Sequence, residues 1–132
     1  MNSIKSYKIK QWLDYSNDDL IAAVHFYESM EFPIYRVVCY NAEQSAEKFL
    51  KAYQIYFDME IIKTHDLSRL VKSLLGFDEE LAQFLESLKN LSNHAVKYRY
   101  PDDFEDLTKE DAEESIIIAK QIQKFITIKI VL

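Results

Sequence analysis

Glycine and proline together supply 3 of the 132 residues of this chain, one Gly and two Pro. Average usage would give roughly 16 in a chain of this length. Tight hairpins need residues that accept positive φ, and loops that cradle phosphates need several glycines. The scarcity therefore disfavours a hairpin-rich β sandwich, a dinucleotide fingerprint and a Walker-type loop. It leaves open a chain that stays helical over long stretches.

The rest of the composition narrows the class. Hydrophobic residues make up 48% and charged residues 29%, the balance of a globular chain. The length fits one domain spanning residues 1–132. Sixteen basic against 22 acidic side chains give a net charge of −6. That charge weakens long-range attraction to nucleic acid but leaves room for a local basic patch. The one cysteine, Cys39, excludes an internal disulfide and a multi-thiolate zinc site. No apolar run approaches the roughly 18 residues of a membrane span, and Met1 to Lys10 lacks an apolar signal core. A cytoplasmic chain with no membrane attachment is expected.

Apolar spacing predicts helices almost throughout. The first covers about Lys8 to Met30, or begins at Ser16, where Ser16 with Asp19 has the form of a capping box. Pro33 closes that segment. The second, about Tyr35 to Met59, carries Val38, Ala42, Ser45, Ala46, Phe49, Ala52, Tyr53 and Tyr56 at helical spacing, with Glu43, Gln44, Glu47, Lys48 and Lys51 falling between them. A short helix from about Asp66 to Leu75 is ended by Gly76. Asp78 caps a fourth, about Glu79 to Asn93, and an irregular stretch around Tyr98 to Asp102 follows. Thr108 with Asp111 opens the last helix, whose tail from Ile126 to Leu132 alternates like an extended arm. Four or five helices with short connections make an all-α antiparallel bundle.

Four local features could carry chemistry, and each has a structural counterpart. Thr64-His65-Asp66-Leu67 places a carboxylate beside an imidazole, as an oriented general base requires. It also reads as a helix start, with Thr64 or Asp66 as cap and His65 packed on the bundle. Lys89 to Arg99 holds Lys89, His94, Lys97 and Arg99 with no acid among them, an island able to hold a phosphate or an RNA backbone. The same cations would suit the end of a helix dipole. On one continuous helix Lys89 and His94 stand about 140° apart, so they converge only if the helix ends between them or a second subunit supplies the partner. Arg99-Tyr100-Pro101-Asp102 offers an anion contact or an internal ion pair. The acidic residues between Asp102 and Glu114 lack the EF-hand pattern and read as a solvated face. His25 is expected at the surface and Cys39 in the core. Nothing calls for a metal or a cofactor.

Taken together these pieces resemble the HEPN family of prokaryotic helical bundles. The matching residues are Trp12, Asp19-Leu20 and Ala23, then Asn41-Ala42-Glu43-Gln44-Ser45-Ala46-Glu47-Lys48-Phe49-Leu50-Lys51-Ala52. Thr64-His65-Asp66-Leu67 with Leu70, Arg99-Tyr100-Pro101-Asp102, Asp111-Ala112 and Ala119 follow in family order. The resemblance implies an up-and-down bundle that forms a homodimer and is encoded beside a minimal nucleotidyltransferase, as in a toxin–antitoxin pair. It also implies, for many members, a metal-independent ribonuclease with an Arg, four to six residues, then His. In this chain the counterpart is Lys89-Asn90-Leu91-Ser92-Asn93-His94, with lysine where arginine is expected. Lysine keeps the charge and loses the bidentate fork.

Two readings result. One is a non-catalytic module that pairs with a nucleotidyltransferase, binds nucleotide, or both, with His65, Asp66, Lys48, Lys97, Tyr98, Arg99, Tyr100 and Asp102 as binding candidates. The other is a ribonuclease toxin with His94 as base and Lys89 or Arg99 as phosphate clamp, Arg99 serving if the chain folds back between them.

Overall fold

The second helix organises everything around it. It runs as α2 from Tyr35 to Tyr56, and 13 of its residues are buried, more than a one-sided apolar stripe supplies. The computed structural model describes residues 2–29, 31–99 and 106–132, with the side chains of 95–99 left aside. Its elements are α1 (Ser3–Glu28), α2, α3 (Leu67–Leu74), a 3₁₀ segment (Glu79–Phe84), α4 (Leu85–Arg99) and α5 (Lys109–Lys129). No strand occurs among the described residues. Helices α1, α5, α4 and α3 all pack on α2, and the buried side chains form one cluster. This is the all-α bundle that the periodicity predicts.

Enclosure of α2 changes the status of its polar row. Glu43, Glu47 and Lys51 are spaced i, i+4, i+8, and they lie between the apolar positions without being a solvated face. They retain only 1%, 4% and 8% of their accessibility. Charges so placed require partners.

Helix starts follow local capping chemistry. Asn2 opens α1, its Oδ1 accepting from Lys5 N at 2.7 Å. The helix therefore begins ahead of both expected starts. Ser16 is fully buried mid-helix and its Oγ donates to the Trp12 carbonyl at 2.7 Å. A serine with an acid three residues on resembles a cap in sequence, yet this one bonds back within the helix. Asp66 caps α3 by accepting from Ser68 N and Arg69 N. Thr108 and Asp111 form a reciprocal capping box on α5.

Helix ends depart further from expectation. Helix α2 stops at Tyr56, where Met59 N reaches Gln54 O and Asp58 N reaches Ile55 O, both at 2.9 Å. That is a Schellman closure, with Asp58 at φ 60° in the left-handed position that glycine usually fills. Gly76 follows the C-cap Leu75 of α3, where a left-handed glycine would close a helix, but its φ is not positive and it does not serve as such a cap. The fourth helix begins as a 3₁₀ segment where Asp78, its cap, also accepts from Tyr53 Oη at 2.6 Å and lies 3.4 Å from Lys129 Nζ. These ties to α2 and α5 fix how the segment enters the bundle. Helix α4 then continues through Arg99, so Tyr98 and Arg99 of the expected irregular stretch are helical, and Tyr100 to Asp102 lie outside the described residues. Ile126 to Lys129 also stay helical, and Ile130 tucks into the core at 9% exposure. Burial of Ile126 overrides the weak helix preference of β-branched residues. The expected extended arm is confined to the residues from Ile130 on, where the backbone turns extended. No described helix is long and apolar enough to cross a membrane.

Candidate functional site

The two candidate histidines occupy opposite situations. His94 projects from α4 into the seam with α5, its side chain 12% exposed. Its Nδ1 is 3.3 Å from Ser115 Oγ and its Nε2 is 3.6 Å from Asp111 Oδ1. Ser115 spends its proton on the Asp111 carbonyl at 2.8 Å, so the hydroxyl accepts from His94 Nδ1. Both ring nitrogens are thus turned toward α5. Lys89 is exposed on the same uninterrupted helix. Five residues of continuous helix leave the pair about 140° apart, so a single chain does not bring them together. Nor does a loop fold back between His94 and Arg99, since α4 spans both.

Beside this seam sits Cys39, fully buried. Burial pushes its thiol up to about 11, with Ser115 opposing the shift. A thiol held protonated is a core group and not a nucleophile.

His65 is the reverse case. It stands in the connection before α3, its side chain 63% exposed. Its Nδ1 lies 2.7 Å from Oε1 of Glu47, whose side chain is 5% exposed. The other Glu47 oxygen accepts from Lys51 Nζ at 3.0 Å, and Lys51 lies over the Trp12 ring with its ammonium 5.9 Å from the centroid. The buried carboxylate accepts Nδ1–H, which fixes the tautomer and aims Nε2 outward. The sequence suggests Asp66 as the carboxylate beside this imidazole. The structure instead commits Asp66 to its own helix, where Ser68 N, Ser68 Oγ and Arg69 N donate to Oδ1.

The remaining candidates separate clearly. Lys48 pairs with Asp19 of α1, which makes it a clamp between helices. Lys97, Tyr98 and Arg99 lie on the last turn of α4 with side chains outside the described set, and Tyr100 and Asp102 lie outside the described residues altogether. His25 is exposed near the end of α1. Among the described residues no three His, Cys, Asp or Glu side chains gather as a metal site.

The Asp66 carboxyl is held below its ordinary value, first by the Ser68 hydroxyl and then, against the opposing effect of burial, by the Arg69 and Ser68 backbone amides. A carboxylate whose folded pKa is depressed stabilises above its unfolded pKa of about 3.9 and loses that contribution as pH falls through the folded value. Asp66→Ala is therefore expected to cost about 1 kcal/mol at pH 7, the worth of an N-cap. Urea denaturation of the two proteins should show that difference shrinking below about pH 4. A difference constant from pH 7 to pH 2 would mean that the charge of the cap contributes nothing.

Sequence reasoning missed Glu47 as the partner of His65 and missed the exposed cations Lys63, Arg69 and Lys72 that flank it in sequence. A sliding charge count would have found the latter: residues 61–76 hold three cations against Asp66 alone.

Comparison with known proteins places this architecture. The family model of the HEPN domain matches residues 9–129. Among solved structures, TT1696 from Thermus thermophilus is similar with a TM-score of 0.82 and 23% identity, over 93% of this chain and 98% of that one. ST0689, an archaeal HEPN homologue, is similar with a TM-score of 0.72 and 23% identity, over 92% of this chain and 96% of that one. No curated protein matches the chain.

Proposed function

The chain belongs to the HEPN domain family, and from that premise we propose that it is a helical binding module which pairs with a minimal nucleotidyltransferase and binds nucleotide. The observation that carries this reading is the orientation of His94. A general base needs a nitrogen within hydrogen-bond reach of the hydroxyl it deprotonates. Both His94 nitrogens face Ser115 and Asp111, and Lys89 points elsewhere on the same helix. Lysine in place of arginine also forgoes the bidentate grip on a phosphate undergoing attack.

The reading includes a homodimer. Ile117 and Ile128 lie on the outward side of α5, 55% and 69% exposed, and Gln121 and Lys124 are exposed between them. Apolar side chains so spaced along one exposed helix face suit an interface.

Two measurements test the proposal together. The genes flanking this one are read for a minimal nucleotidyltransferase and the tagged chain is co-expressed with it, the lack of such a gene counting against the pairing. The purified chain is incubated with RNA in EDTA alongside His94→Ala. Retention of the nucleotidyltransferase through purification with intact RNA in both incubations is the expected result. RNA cleavage by the wild type that His94→Ala abolishes would replace the binding module with a metal-independent ribonuclease toxin.

A further inference from the structure

The geometry points to a phosphate-ester site on the connection into α3 and its first turns, built from Lys63, His65, Arg69 and Lys72 with Glu47 as the positioning residue. This deepens the nucleotide-binding clause of the proposed function and rests on it.

Three observations converge here. The first is orientation. An exposed imidazole ordinarily samples several rotamers, but a 2.7 Å contact to a carboxylate that is itself buried restrains this one. Nε2 therefore faces solvent, and in the imidazolium form it donates outward while Glu47 accepts on the other side.

The second is the state of the surrounding cations. Lys5, Lys48, Lys51 and Lys129 are held in ion pairs with Asp58, Asp19, Glu47 and Asp78 with Glu80, whereas Lys8, Lys10, Lys89, Lys120 and Lys124 form none with described residues. What sets this segment apart is the grouping of such cations between Lys63 and Lys72 beside an oriented imidazole. Lys63, Arg69 and Lys72 are exposed, and none has a carboxylate within ion-pair distance among the described residues. In a chain of net charge −6, residues 61–76 carry three cations and one acid, or +2. Unpaired cations beside one another repel, and an acidic protein has ample carboxylates with which to pair them.

The third is the fate of the one acid. Asp66 directs Oδ1 into the first turn of α3 and accepts three hydrogen bonds there, and Lys72 acts on this carboxylate through its charge without closing an ion pair with it. Arg69 and Lys72 are three residues apart on α3 and share a face. Lys63 and His65 lie just ahead of them in the connection. The set suits a non-bridging phosphate oxygen with the imidazole as directional donor and the long cations as a flexible surround.

The test uses NMR of the full chain, with the His65 imidazole signal assigned by its loss in His65→Asn. Inorganic phosphate, adenosine monophosphate and pentauridylate are titrated separately. Saturable shifts of the His65 ring and of the amides of residues 63–72 are expected with all three. Tighter, salt-dependent binding of pentauridylate would identify a strand backbone as the source of the phosphate, and equal or tighter binding of the monophosphate a free nucleotide. Lys63→Ala combined with Arg69→Ala should weaken the tightest probe roughly tenfold, and Lys120→Ala, an exposed lysine on α5, should leave it unchanged. Shifts confined to residues 89–99 with His65 unmoved would overturn this site and leave the proposed function intact. No shift with any probe would overturn the site and the nucleotide-binding clause together, with retention of the nucleotidyltransferase then supporting the pairing clause alone.

Discussion

Glu47→Gln is expected to lower the unfolding free energy by about 3 kcal/mol, measured by urea denaturation at pH 7. The substitution keeps the shape of the side chain and removes the charge that faces Lys51 Nζ at 3.0 Å. Breaking a buried ion pair from one side costs about 3–5 kcal/mol because the surviving charge stays desolvated. The lower end applies because the Lys51 side chain keeps 10% exposure and its flexible stem can reach toward water. The Trp12 ring compensates weakly at a distance of 5.9 Å. Replacing both partners, as Glu47→Leu with Lys51→Met, should recover most of the loss, since an apolar pair of similar volume leaves no charge stranded. A cost below about 1 kcal/mol for Glu47→Gln would show that the pair is solvated and that α2 is not enclosed on this side.

Phe49→Ala should cost about 3–5 kcal/mol, the usual range for deleting a buried ring. Phe49 is fully buried in the shared core around α2. For a domain of this size the loss corresponds to a drop of roughly 10–20 °C in Tm. Such a change consumes a large part of a typical total stability of about 5–15 kcal/mol. Phe49→Leu, which retains much of the volume, should cost only about 1–1.5 kcal/mol. Equal losses for the two variants would mean that ring shape, and not filled volume, governs this position.

What was legible in advance follows from how far apart in sequence the interacting groups are. Asp66, Asp78 and Thr108 were readable as caps because a cap bonds to amides two or three residues ahead. The apolar row of α2 was readable because helix geometry alone places i, i+3, i+4 and i+7 on one side. The same local logic misled at Ser16, whose spacing to Asp19 imitates a cap while the hydroxyl bonds back to Trp12. It misled again at Gly76, where the chain's one glycine stands past the helix end without adopting the left-handed conformation, which falls to Asp58. At the candidate sites the decisive pairs are distant: Glu47 with His65 across 18 residues, Lys48 with Asp19 across 29, His94 with Ser115 across 21.

The amino-acid sequence alone determined that the chain is helical, where most helices begin, and which apolar residues line the core. Those properties depend on backbone torsions, caps and periodicity within a few residues. Only the tertiary structure decided that the charged row of α2 is enclosed, that His65 is oriented by Glu47 and exposed, and that His94 is turned into the α4–α5 seam. Periodicity reports which side chains share a face of a helix. How many neighbours crowd that helix, and therefore which polar faces lose their water, is set by the packing of segments far apart along the chain.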